Sequence, residues 1–331
     1  METDIDCPFV SALLVTRNEE KFIERSFSSL LNQDYPKTRY EIIVVDGCSS
    51  DRTVGIIENL AKQHDVKVRI LENPKKILAS GWNIGIKNAS GDYVVRIDAH
   101  AEVPPDFIYL NVKTMEEVRD AVCVGGKLMT RSLEGNHLIT KVLSSRFGVG
   151  NSSFRTASKA QYADTAVYGL YKKAIFDQVG LFDENLERNQ DIELHSRIRK
   201  NGGKFYFNPE IVSVYYARNT LSKMLKQAVG NGKWNMILLR KGCSALSFRH
   251  FVPFCFVVFI IMSLVLGLCF NSIFLYLLSI TFALHLSIGT FAAVDKTKDI
   301  KEVILMPVYF MLLHLSYGVG FILGALAKIE K

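Results

Sequence analysis

Residues 40–53 are YEIIVVDGCSSDRT, a run of mostly branched apolar side chains followed by a cluster of small, polar and acidic ones. The run predicts a buried β-strand over 40–45, and the cluster predicts a loop over 46–51. A helical pattern follows, and the same alternation occurs on both sides. Strands are predicted at 9–16, 66–71 and 93–97, and helices up to residue 31 and over 53–63 and 77–88. This alternation predicts an α/β fold with a mostly parallel sheet and helices on both faces.

Polar clusters follow three of the predicted strands, at the points where the strands end. They lie at 16–19, 46–51 and 98–100. The carboxyl ends of parallel strands meet at one edge of a sheet, and ligands bind outside that edge, so the clusters predict a ligand site there. No GxGxxG follows a strand and no GxxxxGK[ST] is present, so dinucleotide and P-loop chemistry have no support.

Asp98 and His100 stand two residues apart at the end of the strand predicted at 93–97. If this end stays extended, both side chains point to one side and can bind one cation. A carboxylate and an imidazole suit Mg²⁺ or Mn²⁺, and the nitrogen favours Mn²⁺. An Asp that caps a turn beside a surface His would give the same pattern, and the two residues alone favour that simpler interpretation.

Asp191 lies at the start of a helical pattern that runs to about residue 200 and ends at two glycines, 202 and 203. A carboxylate in the first turn is stabilised by the helix dipole, which suits a catalytic base. An Asp in this place is more commonly an N-terminal cap. The residue pattern alone leaves both roles open.

The last quarter of the chain has a different composition. The 331-residue chain has 40 basic and 33 acidic residues, but residues 250–331 contain only five of the basic and four of the acidic ones. The stretches 251–270, 272–294 and 303–327 contain no charged residue, and each is long enough to cross about 30 Å of hydrocarbon as a helix. Buried core helices are the poorer alternative. The third stretch contains Pro307, His314 and several glycines, so it could be re-entrant.

Residues 219–250 contain only basic charges: Lys223, Lys226, Lys233, Arg240, Lys241 and Arg249. Cations before a first span place the preceding domain in the cytoplasm. Their helical spacing, with apolar residues largely on another face, predicts an amphipathic helix in the membrane interface. A solvated linker helix is the alternative. The chain therefore divides into a cytoplasmic domain, 1–218, an interfacial segment, 219–250, and a membrane domain, 251–331, in a multi-pass protein of the plasma membrane. Neither a disordered nor a disulfide-stapled protein fits this composition.

Four segments together resemble the family-2 glycosyltransferases with the GT-A fold, a Rossmann-like sheet. They are LLVTRNEE (13–20), EIIVVDGCSSDRT (41–53), GWNIGIKNASGDYVVRIDAHA (81–101) and GLFDENLERNQDIELHSRIRKNGG (180–203). Within the family, the DAH variant and the HLSYGVGF segment (314–321) look like the subgroup that includes a succinoglycan-biosynthesis glucosyltransferase.

The resemblance implies a nucleotide-diphospho-sugar donor, usually a UDP-sugar, and inversion at the anomeric carbon. Asp46 would accept a hydrogen bond from the base, and Thr16, Arg17, Asn18 and Glu19 would line the nucleotide pocket. Asp98 would contact the ribose or diphosphate and, with His100, bind a divalent metal, Mn²⁺ rather than Mg²⁺. Asp191 matches the catalytic base. No nucleic-acid partner is expected.

Two positions depart from the family pattern: Gln190 stands where the family usually has an acid before the base, and His100 replaces the usual second Asp. The QxxRW motif of processive synthases is only echoed, since Lys233 replaces its arginine and the spacing is longer. We therefore expect transfer of a single sugar to a lipid-linked saccharide acceptor, for an exopolysaccharide, capsule or other surface glycan. Acceptor-side candidates are Gln190, Arg218, Gln227, Lys233 and Trp234, and a loop at 147–155. A processive β-polysaccharide synthase and a non-catalytic nucleotide-binding scaffold remain the alternatives.

Overall fold

A computed structural model describes residues 7–132, 137–150, 153–216, 220–243 and 246–328. The chain forms two compact units. The first unit comprises 1–129 and 153–216, and the second unit comprises 130–152 and 217–331. Each unit therefore consists of two segments, because residues 130–152 group with the second unit.

The described part of the first unit contains one mixed sheet in the order β3-β2-β1-β4-β8-β6-β9-β5, with β7 paired to β9. Strands β1 to β4 are parallel, as the sequence predicts, whereas β8 pairs antiparallel with both β4 and β6. The strands are β1 (Val10–Thr16), β2 (Tyr40–Asp46), β3 (Lys67–Glu72), β4 (Tyr93–Asp98), β5 (Ala101–Glu102), β6 (Ala121–Arg131), β7 (Gln161–Ala163), β8 (Leu170–Lys172) and β9 (Lys204–Tyr216).

Helices cover both faces of this sheet. They are α1 (Ile23–Leu31), α2 (Thr53–Ala61), α3 (Leu78–Asn88), α4 (Phe107–Glu117), α7 (Ser153–Thr156), α8 (Ile175–Val179) and α9 (Gln190–Lys200), while α5 (His137–Ser144) and α6 (Arg146–Val149) belong to the second unit. Side chains alternate along a strand, so β1 and β4 supply a core to each face. One core includes Phe27 of α1 and Phe107 of α4, and the other includes Trp82 of α3 and Leu194 of α9.

Glu41 ties the parallel strands together at the edge where β2 begins. Its fully buried carboxylate accepts hydrogen bonds from the Ser11 hydroxyl at 2.9 Å and the Ser90 amide at 2.8 Å. Arg69 of β3 lies 3.4 Å away. Burial opposes the charge, but these hydrogen bonds and the Arg69 guanidinium bring the pKa of Glu41 below its ordinary value.

The second unit contains three helices that are long and apolar enough to cross a membrane, among the residues described. They are α11 (Val252–Cys269), α12 (Ile273–Val294) and α13 (Ile300–Leu326), and they follow α10 (Leu221–Arg240) and a short 3₁₀ turn at Phe248–His250. A short turn at 270–272 joins α11 to α12. The region suggested to be re-entrant forms one continuous helix, with Pro307 inside it.

Glycines bring α10 and α13 into close contact. A Cβ on Gly320 would lie 2.1 Å from the Val229 carbonyl oxygen, and a Cβ on Gly324 would lie 2.3 Å from that of Lys233. Arg240 donates to the carbonyl of Ala327, so the two helices run in the same direction. The apolar face of α10, which includes Met224 and Ala228, is buried in a cluster with Phe310 and Leu313 of α13. Lys223, Lys226 and Lys233 are exposed.

His314, which interrupts the third apolar stretch, has a structural partner. Its Nδ1 lies 3.0 Å from Nε2 of His285 on α12, and its Nε2 lies 2.9 Å from the carbonyl oxygen of Phe147 on α6. These contacts attach the segment around Phe147 to α12 and α13. The loop proposed at 147–155 is accordingly divided between the ends of α6 and α7, with 151–152 outside the described residues.

Candidate active site

The carboxyl ends of three parallel strands place polar side chains next to one another. Thr16 is in register with Asp46, and Val15 is in register with Asp98. Thr16 and Asp46 are buried, and the Thr16 hydroxyl has no hydrogen-bond partner within the described part of the chain. The edge that the sequence indicates therefore does bring Thr16, Asp46 and Asp98 together.

The loops after β1 and β2 are joined by hydrogen bonds. The side-chain oxygen of Asn18 accepts from the Ser50 amide at 2.8 Å, and the Asn18 amide donates to the Ser49 hydroxyl at 2.9 Å. The Glu19 amide donates to the Thr53 hydroxyl at 2.8 Å. Asn18 has a positive φ of 54°, a conformation that Asn tolerates better than most residues. Both loops are thus held in fixed shapes around the ends of β1 and β2.

Asp46 shapes the second loop from inside. One carboxylate oxygen accepts from the Ser49 amide at 2.8 Å, and the other accepts from the Ser49 hydroxyl at 2.6 Å. A carboxylate has about four acceptor sites, so capacity remains for a ligand N–H. Arg17 lies across Gly47: a Cβ there would be 3.2 Å from the Arg17 Cβ and Cδ. Gly47 therefore leaves room for the Arg17 stem beside Asp46.

Asp98 is the last residue of β4, and His100 lies in the two-residue turn that follows, so the chain does not stay extended through His100. The Tyr168 hydroxyl donates to Asp98 at 3.2 Å, and burial together with the Asp98 charge raises the pKa of Tyr168 well above its ordinary value. Tyr168 therefore stays protonated and orients the carboxylate. Nδ1 of His100 lies 3.7 Å from a Glu19 carboxylate oxygen, and its ring packs edge-on against Tyr215, with centroids 5.3 Å apart.

The side chains at this turn suit a divalent cation that is bound partly by the protein and partly by substrate phosphates. Among the described residues no group of three or more His, Cys, Asp or Glu side chains could hold a metal by itself. Asp98 and His100 supply one oxygen and one nitrogen donor, which leaves the remaining positions for other ligands. Mg²⁺ and similar ions are commonly bound by one or two protein ligands together with substrate phosphates. The residues present fit that arrangement.

Asp191 is the second residue of α9, where its charge meets the positive end of the helix dipole. One carboxylate oxygen accepts from the neighbouring Ile192 amide at 2.9 Å, and the side chain is half-buried. The residue before the helix, Asn189, has a positive φ of 58°. Gln190 beside it is buried, and its side-chain oxygen has no hydrogen-bond partner among the described residues.

His195, one helical turn after Asp191, fixes α9 to the rest of the unit, a role that the sequence analysis did not assign. Its Nδ1 lies 2.7 Å from the Thr165 hydroxyl and its Nε2 lies 2.7 Å from the Tyr171 hydroxyl. Burial, with the nearby positive charge of Arg96, holds the pKa of His195 well below its usual value. A neutral imidazole therefore anchors the helix that carries Asp191.

Arg96 is a second residue that the motifs did not single out. Its guanidinium carbon lies 4.6 Å from the centroid of the Trp82 ring and 4.8 Å from that of Phe182. Arg96 precedes Asp98 by two residues on β4, so both side chains leave the same face of the sheet.

The acceptor-side candidates lie in different units. Gln190 is in the first unit, whereas Gln227, Lys233 and Trp234 lie on α10 of the second unit. Lys233 is exposed, and Gln227 and Trp234 are part-buried. Arg218 falls outside the described residues. Their shared role on the acceptor side stays a prediction.

This chain is similar in sequence to known glycosyltransferases. The "Glycosyl transferase family 2" model matches residues 11–164. A Methanococcus voltae protein, the dolichyl N-acetyl-alpha-D-glucosaminyl phosphate 3-beta-D-2,3-diacetamido-2,3-dideoxy-beta-D-glucuronosyltransferase, is 34% identical over 96% of this chain and 97% of its own length. The succinoglycan biosynthesis protein ExoA of Rhizobium meliloti is 30% identical over 65% of this chain and 66% of its own length.

Two solved structures share the fold. The mannosyltransferase PcManGT of Pyrobaculum calidifontis, in complex with GDP-Man and Mn²⁺, matches 94% of this chain and 87% of its own with a TM-score of 0.59 at 19% identity. TarS 1-349 of S. aureus, in complex with UDP-GlcNAc, matches 67% of this chain and 66% of its own with a TM-score of 0.52 at 21% identity. At these identities the likeness concerns the fold, which is the GT-A type expected from the motifs.

Proposed function

Because this chain belongs to glycosyltransferase family 2, we propose that it is a membrane-bound inverting transferase that moves one sugar from a nucleotide-diphospho-sugar to a lipid-linked saccharide. The observation that carries the proposal is the strand register that aligns Thr16, Asp46 and Asp98 at one edge of the sheet. Polar groups at this edge remain available to a ligand, because the Thr16 hydroxyl is buried without a partner.

The nucleotide lies between the two joined loops. Asp46 accepts a base N–H with the capacity that Ser49 leaves, and Thr16, Arg17, Asn18 and Glu19 border the same space. UDP is the nucleotide that the family most commonly uses. Asp98 and His100 would hold a divalent cation, Mn²⁺ in preference to Mg²⁺, which when bound neutralises charge on the diphosphate leaving group.

Asp191 is the base of the transfer step. The acceptor hydroxyl oxygen forms a bond to C1 of the sugar while the bond from C1 to the diphosphate oxygen breaks, and the electron pair of that bond leaves with the diphosphate. The hydroxyl proton passes to the Asp191 carboxylate. In-line displacement inverts C1, and the step needs a single carboxylate. His195, neutral and bonded on both ring nitrogens, keeps the Asp191 helix in place.

A lipid-linked acceptor accounts for the second unit. The M. voltae relative is named for transfer to a dolichyl-linked N-acetylglucosaminyl phosphate. The described residues of this chain include three helices that could cross a membrane, and α10 exposes Lys223, Lys226 and Lys233, which suit anionic lipid phosphates. With the catalytic unit in the cytoplasm, this arrangement fits assembly of a surface polysaccharide at the plasma membrane.

The test is transfer of labelled sugar from a panel of nucleotide sugars to membrane lipid extracts, with the full chain and Mn²⁺. Asp191→Asn should abolish transfer while nucleotide affinity stays within about twofold of wild type. Asp177→Asn, which removes an exposed acid from α8, is the matched control and should keep wild-type turnover. Normal turnover in Asp191→Asn would remove Asp191 from the reaction. Long products from one donor would favour the processive alternative, and binding without turnover would favour the scaffold.

A further inference from the structure

Arg96 is a cation held in an unusual environment. Two aromatic rings, Trp82 and Phe182, enclose its guanidinium group, and both of these residues are buried. The guanidinium Nε is buried and makes no hydrogen bond. The residue as a whole is part-buried, so the group is not sealed inside the protein. The rings fix the plane of the guanidinium and remove much of its water.

Among the residues that the structure describes, no acidic side chain neutralises Arg96. Across the described residues, no Asp or Glu oxygen lies within ion-pair distance of its side chain. A partly dehydrated cation without a partner is unfavourable, so proteins normally pair such groups. The Arg96 side chain therefore has unused donors in a fixed plane. Guanidinium donors in a fixed plane match the two oxygens of a carboxylate.

The position of Arg96 relates it to the sugar rather than to the nucleotide. Arg96 lies on β4, two residues and about 7 Å before Asp98 on the same sheet face. It is therefore further from the sheet edge than the position where the diphosphate is expected. It also faces the Asp191 side. Trp82 and Phe182, which flank Arg96, share one core with Leu194 of α9, the helix that carries Asp191. Arg96 thus lies on the sheet face that α9 covers, next to the proposed diphosphate position, and we place the transferred sugar beside it.

We infer that Arg96 binds a carboxylate on the donor sugar, so that the donor is a nucleotide-linked uronic acid. The inference rests on the proposed function and adds the substrate class to it. A uronate carboxylate supplies the missing anion for the guanidinium, whereas a neutral hexose would leave Arg96 unpaired in the occupied site. The M. voltae relative is named for transfer of a glucuronosyl derivative, which agrees with this chemistry.

The inference is tested by measuring the affinity of the full chain for UDP, UDP-glucose and UDP-glucuronate with Mn²⁺, by competition against a fluorescent UDP analogue. The wild-type protein should bind UDP-glucuronate about ten- to a hundredfold more tightly than UDP-glucose. Arg96→Gln should remove this preference while UDP affinity stays within about twofold. Arg96→Lys keeps the charge without the planar fork and should retain a smaller preference.

Lys172→Gln is the matched control. Lys172 lies on β8 opposite Tyr93, at the other end of β4, so the variant removes one cation far from the carboxyl edge. It should retain the wild-type preference.

Three results would overturn the inference, and they differ from one another. Equal wild-type affinity for the two sugar nucleotides would exclude a uronate site. An equal loss of UDP, UDP-glucose and UDP-glucuronate in Arg96→Gln would assign Arg96 to the diphosphate or to folding. Failure of all three nucleotides to bind the wild-type protein would instead exclude a UDP-linked donor, and the inference about its sugar would fail for that reason.

Discussion

Replacement of His195 by Phe should displace the helix that carries Asp191, the proposed catalytic base, while nucleotide binding is retained. His195 is fully buried, and its ring centroid lies 4.6 Å from that of Phe205 and 5.9 Å from that of Tyr171. Phe keeps the ring and most of the packing, but it cannot bond to Thr165 or Tyr171. The substitution therefore removes two hydrogen bonds and little else.

The expected loss of stability follows from what the two hydroxyl groups can do afterwards. Thr165 is part-exposed and can turn to water, whereas Tyr171 is buried and loses its partner. An ordinary hydrogen bond contributes about 1 kcal/mol, and an unsatisfied buried hydroxyl costs about 1–3 kcal/mol. We expect the free energy of unfolding to fall by about 2–4 kcal/mol at pH 7.5.

The pH dependence gives a second, independent signature. Burial, together with the charges of Arg96 and Arg199, lowers the pKa of His195 in the folded state, whereas the unfolded chain titrates near 6.5. Below pH 6.5 the unfolded state therefore binds a proton that the folded state does not. The contribution of neutral His195 is complete above pH 6.5 and is lost as the pH falls toward the folded-state pKa. The slope is about 1.4 kcal/mol per pH unit.

The assay is unfolding of the full chain, followed by tryptophan fluorescence between pH 7.5 and 5, in parallel with kinetics. His195→Phe should flatten the pH dependence below 6.5, while His64→Gln, which removes a part-exposed histidine, should keep it. Turnover should fall about tenfold or more with UDP affinity nearly unchanged, because a small displacement of a catalytic group is costly. An unaltered slope with a loss below 0.5 kcal/mol would refute the proposed anchor.

Three further changes test other parts of the structure. His100→Ala should largely abolish the tightening of UDP binding by Mn²⁺; unchanged metal dependence would make His100 a surface residue. Glu41→Gln should lower the free energy of unfolding by about 1–3 kcal/mol, because Arg69 loses a buried charged partner. Wild-type stability of this variant would contradict the prediction. Glu58→Gln, on the exposed side of α2, serves as the control. Gly320→Ala should lower the thermal midpoint and separate α10 from α13, because its Cβ would lie 2.1 Å from the Val229 carbonyl oxygen; Gly55→Ala, where a Cβ meets no atom within 4 Å, should be neutral.

The parallel half of the sheet could be predicted because its information is local. The strands β1, β2 and β4 are mostly apolar runs, and each ends at the polar cluster that the sequence shows. Their order in the chain and the rule for ligand sites in such sheets were enough to bring Thr16, Asp46 and Asp98 to one edge. The antiparallel half could not be predicted in this way. β5, β7 and β8 have two or three residues each, too few to show a period.

The contacts that complete the site are non-local, and this explains why the motifs missed them. His195 finds its partners 30 and 24 residues earlier in the chain, and Arg96 packs on side chains from α3 and from residue 182. A histidine inside a helix and an arginine inside a strand have no distinctive pattern of their own. Their roles follow only once the fold shows what surrounds them.

The close packing of α10 on α13 connects two expectations that the sequence treats separately. The apolar face of α10 is covered by α13. The depth of the α10 lysines in the membrane is therefore set by the position of the C-terminal part of α13. At 20 residues, α10 is about 30 Å long, as thick as the hydrocarbon layer. If both helices stood upright in the bilayer, Lys226 and Lys233 would enter it, at about 2.5–3.5 kcal/mol for each lysine near the centre. We therefore expect the lysine-bearing face of α10 to lie at the membrane surface, where the lysines meet anionic phosphates, while α11 and α12 cross the bilayer.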